Sequence, residues 1–460
     1  MPEKSLASGR QSVIDWVGSL LAVAGLITSL VLSMNVRSLQ GTASDFKTLY
    51  ASAWCFAHGL DAYRVDNINA VFQANHVVAP VDWYGHAAVY PPFTLALFAP
   101  LTAVPMVQAA YVWLVLSGLL MASAIVSLIG AARREFGLSW RWCLVIIAAC
   151  AAGPLPSFAL EMGNVSVAVT ALCITVVFAS SRMSLTVAAI GLAAALFLKP
   201  HIAIWVLLAL LLSGDRLRSH GSALVLRAAG VSLVGLVGVV VWLGAQSMLL
   251  RQAMSYREIV WSETHSGSMS PMVREFLPGP SQITSLASVL AYRWRNASGV
   301  AAASWAACLV LALLLAAAAA RMRTGRSTSE QRFLYLASWC GLGLIATYHR
   351  AHDEIILLLL VPWVVHRLRN SIKNLDAWAV FALYAAISWQ PSREFFAWLG
   401  AVTGWRSLAT MVFYRQSALA AILLEILLLA LLYRTFRANK EDCFLARVDQ
   451  DANLPAVTRA

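Results

Sequence analysis

Residues 106–134 read MVQAAYVWLVLSGLLMASAIVSLIGAARR, and this stretch decides the fold class. Residues 106–131 carry no charge. As a helix they would rise about 39 Å, enough to cross a hydrocarbon core of about 30 Å. Arg133 and Arg134 follow at once, as at the cytoplasmic end of a spanning segment.

The pattern recurs along the chain. Apolar segments fall at 13–34, 106–131, 138–155, 163–180, 184–199, 200–213, 223–246, 299–320, 332–349, 353–369, 375–390 and 407–436. The fold class read from them is an all-α polytopic membrane protein with about 12 transmembrane helices. Composition agrees. Of 460 residues, 60% are hydrophobic and 12% charged, with mean hydropathy +0.71. A soluble domain carries about 25% charged residues. The net charge of +12 comes mostly from Arg and Lys in short loops, so it reports membrane topology and excludes a nucleic-acid partner.

With the N-terminus inside, the loops around Arg134, Arg218, Arg323 and Arg369 are cytoplasmic, as are both termini. The run 13–34 is long and lacks a small-residue cleavage site, so it reads as a retained helix. Residues 1–437 form one membrane domain, and 438–460 form a polar cytoplasmic tail. Two extracytoplasmic loops, about 35–105 and 247–298, are too short for a large domain and should hold short interfacial helices. The apolar segment 92–104 is too short to span. The seven cysteines show no CxxC or metal spacing and read as small core residues.

The unusual residues gather in the extracytoplasmic loops, and ionisable groups clustered at one membrane face suggest a site. Ser44-Asp45-Phe46-Lys47-x-x-Tyr50 offers a carboxylate that could act as a general base. Aspartate is also a common helix N-cap, so both readings stand at this point. Tyr90-Pro91-Pro92 fixes an extended approach to a short helix, with Tyr90 placed for ligand contact. Glu161-Met162-Gly163-Asn164 combines a close-approach glycine with an amide that both donates and accepts. Asn164-Val165-Ser166 and Asn296-Ala297-Ser298 match the glycosylation sequon, a pattern common by chance. Lys199-Pro200-His201 sets a compact cation at a helix break, suited to phosphate. His349-Arg350-Ala351-His352-Asp353 adds further cations, and Arg274 adds another on the second long loop. Those two histidines with Asp353 and the adjacent Glu354 do not make three metal ligands in fixed geometry, so no metal site is expected.

Taken in order, these motifs resemble glycosyltransferase family 87, across about residues 40 to 370. The resemblance implies a GT-C-like membrane enzyme with an extracytoplasmic site and a polyprenyl-phosphate sugar as donor, mannose by analogy. It implies a lipid or envelope-glycan acceptor, no cofactor, and the bacterial inner (plasma) membrane as location. It maps the catalytic base onto Asp45. Tyr50, Tyr90, Glu161, Asn164, Lys199, His201, Arg274, His349, Arg350, His352 and Asp353 are then substrate-binding candidates. Two departures stand out. Asn164 replaces a common Gln, and the loop at His349 lacks the usual adjacent histidines. The rival reading is a lipid or solute transporter or flippase. Transporters place charge near the midplane, whereas here Glu425 is the main mid-depth acid.

Overall fold

The computed structural model describes residues 43–77, 89–178, 183–214, 217, 220–245, 247–265, 284–294, 296–325, 327–347, 351–388 and 393–452. The expected first span, 13–34, lies outside the described residues. Every regular element among them is helical. They are α1 (Ser44–Ala57), α2 (Val65–Ala74), α3 (Pro92–Phe98) with a 3-10 turn Ala99–Ala103, α4 (Met106–Phe136), α5 (Trp140–Ala152) and α6 (Pro154–Glu161). Next come α7 (Ser166–Phe178), α8 (Leu185–Leu198), α9 (Pro200–Ser213), α10 (Gly221–Ala245), α11 (Leu249–His265), α12 (Leu286–Arg293) and α13 (Ala297–Thr324). The chain closes with α14 (Ser329–Ala346), a 3-10 helix Ala351–Leu360, α15 (Val361–Asn370), α16 (Leu375–Ser388), α17 (Arg393–Thr403) and α18 (Arg406–Ala452).

Local chemistry sets the ends. Pro105 precedes α4, and Gly137 closes it in the left-handed region with φ 59°. Arg133 and Arg134 occupy its last turn, where cations favour the helix dipole. Thr328 and Gln331 form a reciprocal capping box at the start of α14. Asn296 of the second sequon caps α13, accepting from the Gly299 amide at 3.2 Å. The expected span 138–155 ends early, because α5 stops at Ala152 and Pro154 opens a separate α6 that runs to Glu161.

The described residues do not confirm the expected count of 12 spans. Four helices among the described residues are long and apolar enough to cross a membrane: α4, α10, α13 and the Arg415–Ala438 part of α18. The expected spans at 163–180, 184–199, 200–213 and 375–390 are helices of only 13 or 14 residues. At 1.5 Å per residue these reach about 21 Å. The expected span 353–369 is divided between a tight 3-10 helix and α15. α17 falls between the expected spans 375–390 and 407–436, and α18 bends at Arg415 (φ −128°, ψ 19°).

α7 lies at the centre, buried along its length except at half-buried Leu172 and Thr175, and packs against α4, α8 and the 3-10 helix 351–360. α14 packs against α18, and α10 covers α8. The share of positions buried separates inner from outer helices: 56% of the apolar window in α4, but 17% in α10 and 22% in α13. The last two present Leu226, Val234, Val241, Leu309 and Leu313 outward, as lipid-facing helices do. Glu425 is fully buried beside Gly341 of α14, where a glycine is needed because the carboxylate fills the space a Cβ would take.

One end of the bundle is tied by ion pairs. Glu135 at the end of α4 meets Arg332 and Ser329 of α14. Glu330 pairs with Arg367 at 3.2 Å, and Asp376 with Arg434 at 2.7 Å. α14 runs from this end towards the opposite one, where the 3-10 helix 351–360 begins.

Candidate functional site

The opposite end collects four chain breaks. The first is the turn between α6 and α7. Gly163 takes φ +63°, a left-handed conformation that costs other residues strain. A Cβ there would stand 2.9 Å from the Phe46 Cβ, so only glycine lets α1 approach. The carbonyls of this turn receive the start of α1. Ala43 donates to the Glu161 carbonyl at 2.9 Å and Asp45 to the Met162 carbonyl at 3.2 Å. Trp113 of α4 donates its indole N–H to the Gly163 carbonyl at 2.9 Å.

This docking settles one alternative. The residue at the N-cap of α1 is Ala43, with no side-chain cap bond. The first amides are satisfied by the neighbouring turn, and Asp45 is inside the helix rather than capping it. Its carboxylate instead receives the Asn164 side-chain amide, Nδ2 to Oδ2, at 2.5 Å.

The second break is Lys199. Proline disfavours helix at the residue before it. Lys199 is accordingly extended (φ −155°, ψ 83°), α8 stops, and α9 restarts on Pro200. The lysine ends 6% exposed, and its ammonium pairs with the Asp353 carboxylate from the 3-10 helix, the third break. The last is Tyr90-Pro91-Pro92, held beside α8 because Thr94 donates to the Phe197 carbonyl at 2.5 Å.

One buried hydroxyl connects these pieces. Ser166 donates its backbone N–H to Asn164 Oδ1 at 2.8 Å, and its Oγ lies 2.6 Å from the same oxygen. That Oγ accepts from Lys199 Nζ at 2.9 Å and lies in hydrogen-bond contact with Asp353 Oδ1. A continuous chain therefore runs Asp45–Asn164–Ser166–Lys199–Asp353. His352 Nε2 stands 3.6 Å and His201 Nε2 3.8 Å from the Asp353 carboxylate.

Of the residues read from the sequence, Asp45, Asn164, Lys199, His201, His352 and Asp353 thus meet. Glu161 has an exposed side chain and contributes its carbonyl. Tyr50 is buried and spends its hydroxyl on the Val104 carbonyl at 2.7 Å, so its visible role is to fix α1. The Tyr90 carbonyl accepts from the Tyr63 hydroxyl at 2.7 Å. Arg274, His349 and Arg350 lie outside the described residues. Sequence reasoning missed Ser166, which it met only as the third position of a sequon. Buried Asn164, with its amide engaged, is not available as a glycan acceptor. It also missed the tie between buried Glu354 and Thr284 at the foot of α12. Lys47 was quoted only as part of the α1 motif. It is 1% exposed, and burial pushes its ammonium down to about 8.

Chemically the arrangement supplies a half-exposed carboxylate with one oxygen held by an amide, next to a neutralised Lys–Asp pair flanked by imidazoles. Among the described residues no group of three or more His, Cys, Asp or Glu forms a metal-binding cluster.

The turn invites a direct test. Gly163→Ala adds the backbone cost of a left-handed alanine, on the order of 1–2 kcal/mol, and drives a methyl against Phe46. We expect lower thermal stability and, in the protein that folds, slower turnover as α1 moves off Asn164. Unchanged rate and melting temperature would show that the turn relaxes without disturbing Asp45.

The model of "Glycosyltransferase family 87" matches residues 88–347. The match contains Asn164, Ser166, Lys199 and His201, and it stops short of Asp45 on one side and Asp353 on the other. No curated protein and no solved structure matches the chain.

Proposed function

Because the chain belongs to glycosyltransferase family 87, we propose that it moves a sugar from a polyprenyl-phosphate donor to an acceptor hydroxyl on a lipid or envelope glycan. The sugar proposed is mannose, and the place is the extracytoplasmic face of a bacterial inner membrane, within a GT-C-like helical frame. The observation that carries the reading is the chain linking a carboxylate to a buried cation across three loops of one end.

In the mechanism we propose, Asp45 is the general base. Asn164 holds Oδ2 and leaves Oδ1 for the acceptor hydroxyl. As the acceptor oxygen bonds to the anomeric carbon, its proton passes to Asp45. The bond from that carbon to the phosphate oxygen breaks, and its electron pair leaves with the lipid phosphate. A single displacement inverts the anomeric centre. Negative charge grows on the departing phosphate, so cations near it lower the barrier. Lys199 is paired with Asp353, His201 and His352 flank that pair, and His349 and Arg350 precede Asp353 in sequence.

The test is transfer by purified protein in lipid, with polyprenyl-phosphate mannose as donor. Because protein cations serve the leaving group, activity should persist in EDTA. Transfer abolished by chelation and restored by a divalent ion would overturn the metal-free mechanism. Use of a nucleotide sugar in place of the lipid donor would overturn the donor assignment.

A further inference from the structure

Ser166 is fully buried, and its hydroxyl has one proton but two acceptors within reach, Asn164 Oδ1 at 2.6 Å and Asp353 Oδ1 in close contact. The Lys199 ammonium donates to the same oxygen from a third side, at 2.9 Å. Lys199 carries no acceptor, so the direction of that bond is fixed. The Ser166 proton therefore has two alternative positions and cannot occupy both. Asn164 Oδ1 keeps the Ser166 backbone N–H in either case.

We propose that Ser166 is a positioning residue whose hydroxyl couples the base to the Lys199–Asp353 pair. The inference rests on the reading of Asp45 as base given above. When the hydroxyl donates to Asn164, it polarises the amide, whose N–H then binds the Asp45 carboxylate more strongly, since linked hydrogen bonds reinforce one another. A strongly held carboxylate is a weaker base. When an anion such as the donor phosphate draws Lys199 off Asp353, that carboxylate becomes the better acceptor and takes the Ser166 proton. Asn164 then loosens its hold, and Asp45 gains basicity. The base is strengthened at the moment the leaving group is in place.

The experiment compares Ser166→Ala and Ser166→Thr in the full-length protein, with initial rates over a range of pH. Ionisable groups on the elements around Asp45 are Lys47 on its own helix, Glu161, Lys199, His201, His352 and Asp353. Asp45→Asn identifies which limb belongs to Asp45. Ser166→Ala removes the polarising bond and leaves Asn164 less firmly set. We expect kcat about tenfold lower, because Asn164 no longer holds Asp45 in line, and a donor KM within about twofold of wild type, because Lys199 loses the Ser166 oxygen but keeps Asp353. The acidic limb of kcat/KM, which reports the free enzyme, should move to higher pH by a few tenths of a unit, because without the Ser166 proton Asp45 is already in its loosened form before donor binds, while the acidic limb of kcat should stay in place. Ser166→Thr restores the hydroxyl and should recover most of kcat and the limb.

Wild-type kcat and an unmoved kcat/KM limb in folded Ser166→Ala, with Asp45→Asn inactive, would overturn the coupling and leave the base assignment standing. Equal impairment in Ala and Thr variants would overturn it too, because volume rather than the hydroxyl would then matter. Full activity in Asp45→Asn would overturn the base assignment and the coupling with it.

Discussion

Asp45→Asn is expected to lower turnover by about 10²–10⁴-fold, the usual contribution of a general base, in a protein that stays folded and still binds donor. Asparagine keeps an oxygen to accept from Asn164 Nδ2, so the 2.5 Å contact survives while basicity is lost. The docking of α1 does not depend on the side chain, because the Asp45 backbone amide is the group bound to the Met162 carbonyl. Ala43 occupies the cap position, so no capping role offsets the result. Asp45→Glu should fail in large part as well, since displacement on the order of 1 Å spoils in-line attack. Near-normal transfer by folded Asp45→Asn would end the assignment. Asp61 is then a poor successor, because its carboxylate already accepts from the Tyr63 amide and the Ser255 hydroxyl. Exposed Asp66 pairs with Arg64 on α2. Glu161, on the same turn as Asn164, is the next carboxylate to test.

The second large effect belongs to the Lys199–Asp353 pair. Lys199 read alone is a cation for phosphate, and its loss should weaken donor binding without unfolding the protein. The pair changes that expectation. The Asp353 side chain is 2% exposed, and removing one partner of a buried pair typically costs about 3–5 kcal/mol because a charge is left uncompensated. Lys199→Ala should therefore melt many degrees lower and lose transfer. Replacing both partners by apolar residues of similar volume, Lys199→Met with Asp353→Leu, should restore much of the stability and none of the turnover. Thermal unfolding in detergent beside an activity assay separates the two. A stable, active Lys199→Ala would show that neither donor binding nor folding needs this ammonium.

The sequence revealed the helical class through uncharged runs such as 106–131, and it revealed the breaks through Pro154 and Pro200. It also singled out loops that the structure brings together, those of Asp45, Asn164, Lys199 and Asp353, by their ionisable and amide side chains. It did not show the pairing of Lys199 with Asp353, since 154 positions separate them and either alone suits a ligand. Ser166 was hidden by its surroundings: a lone hydroxyl in an apolar helix has no periodic signature, and only its neighbours make it a connector. The count of 12 spans is not confirmed among the described residues for a different reason. Hydropathy measures how apolar a segment is, and α8 and α9 are apolar enough but stop early at the lysine between them.

That shortness has a consequence for the lipid. α8 and α9 contact each other and meet at Lys199, and both expose aliphatic side chains such as Val187, Ile190 and Leu211. A bilayer facing helices of about 21 Å must thin by several ångströms or admit water to their ends. Where the bilayer thins, the headgroup plane dips beside the break, and the isoprenoid of the donor proposed above need not be pulled from its leaflet for its phosphate to arrive at the depth of the ammonium.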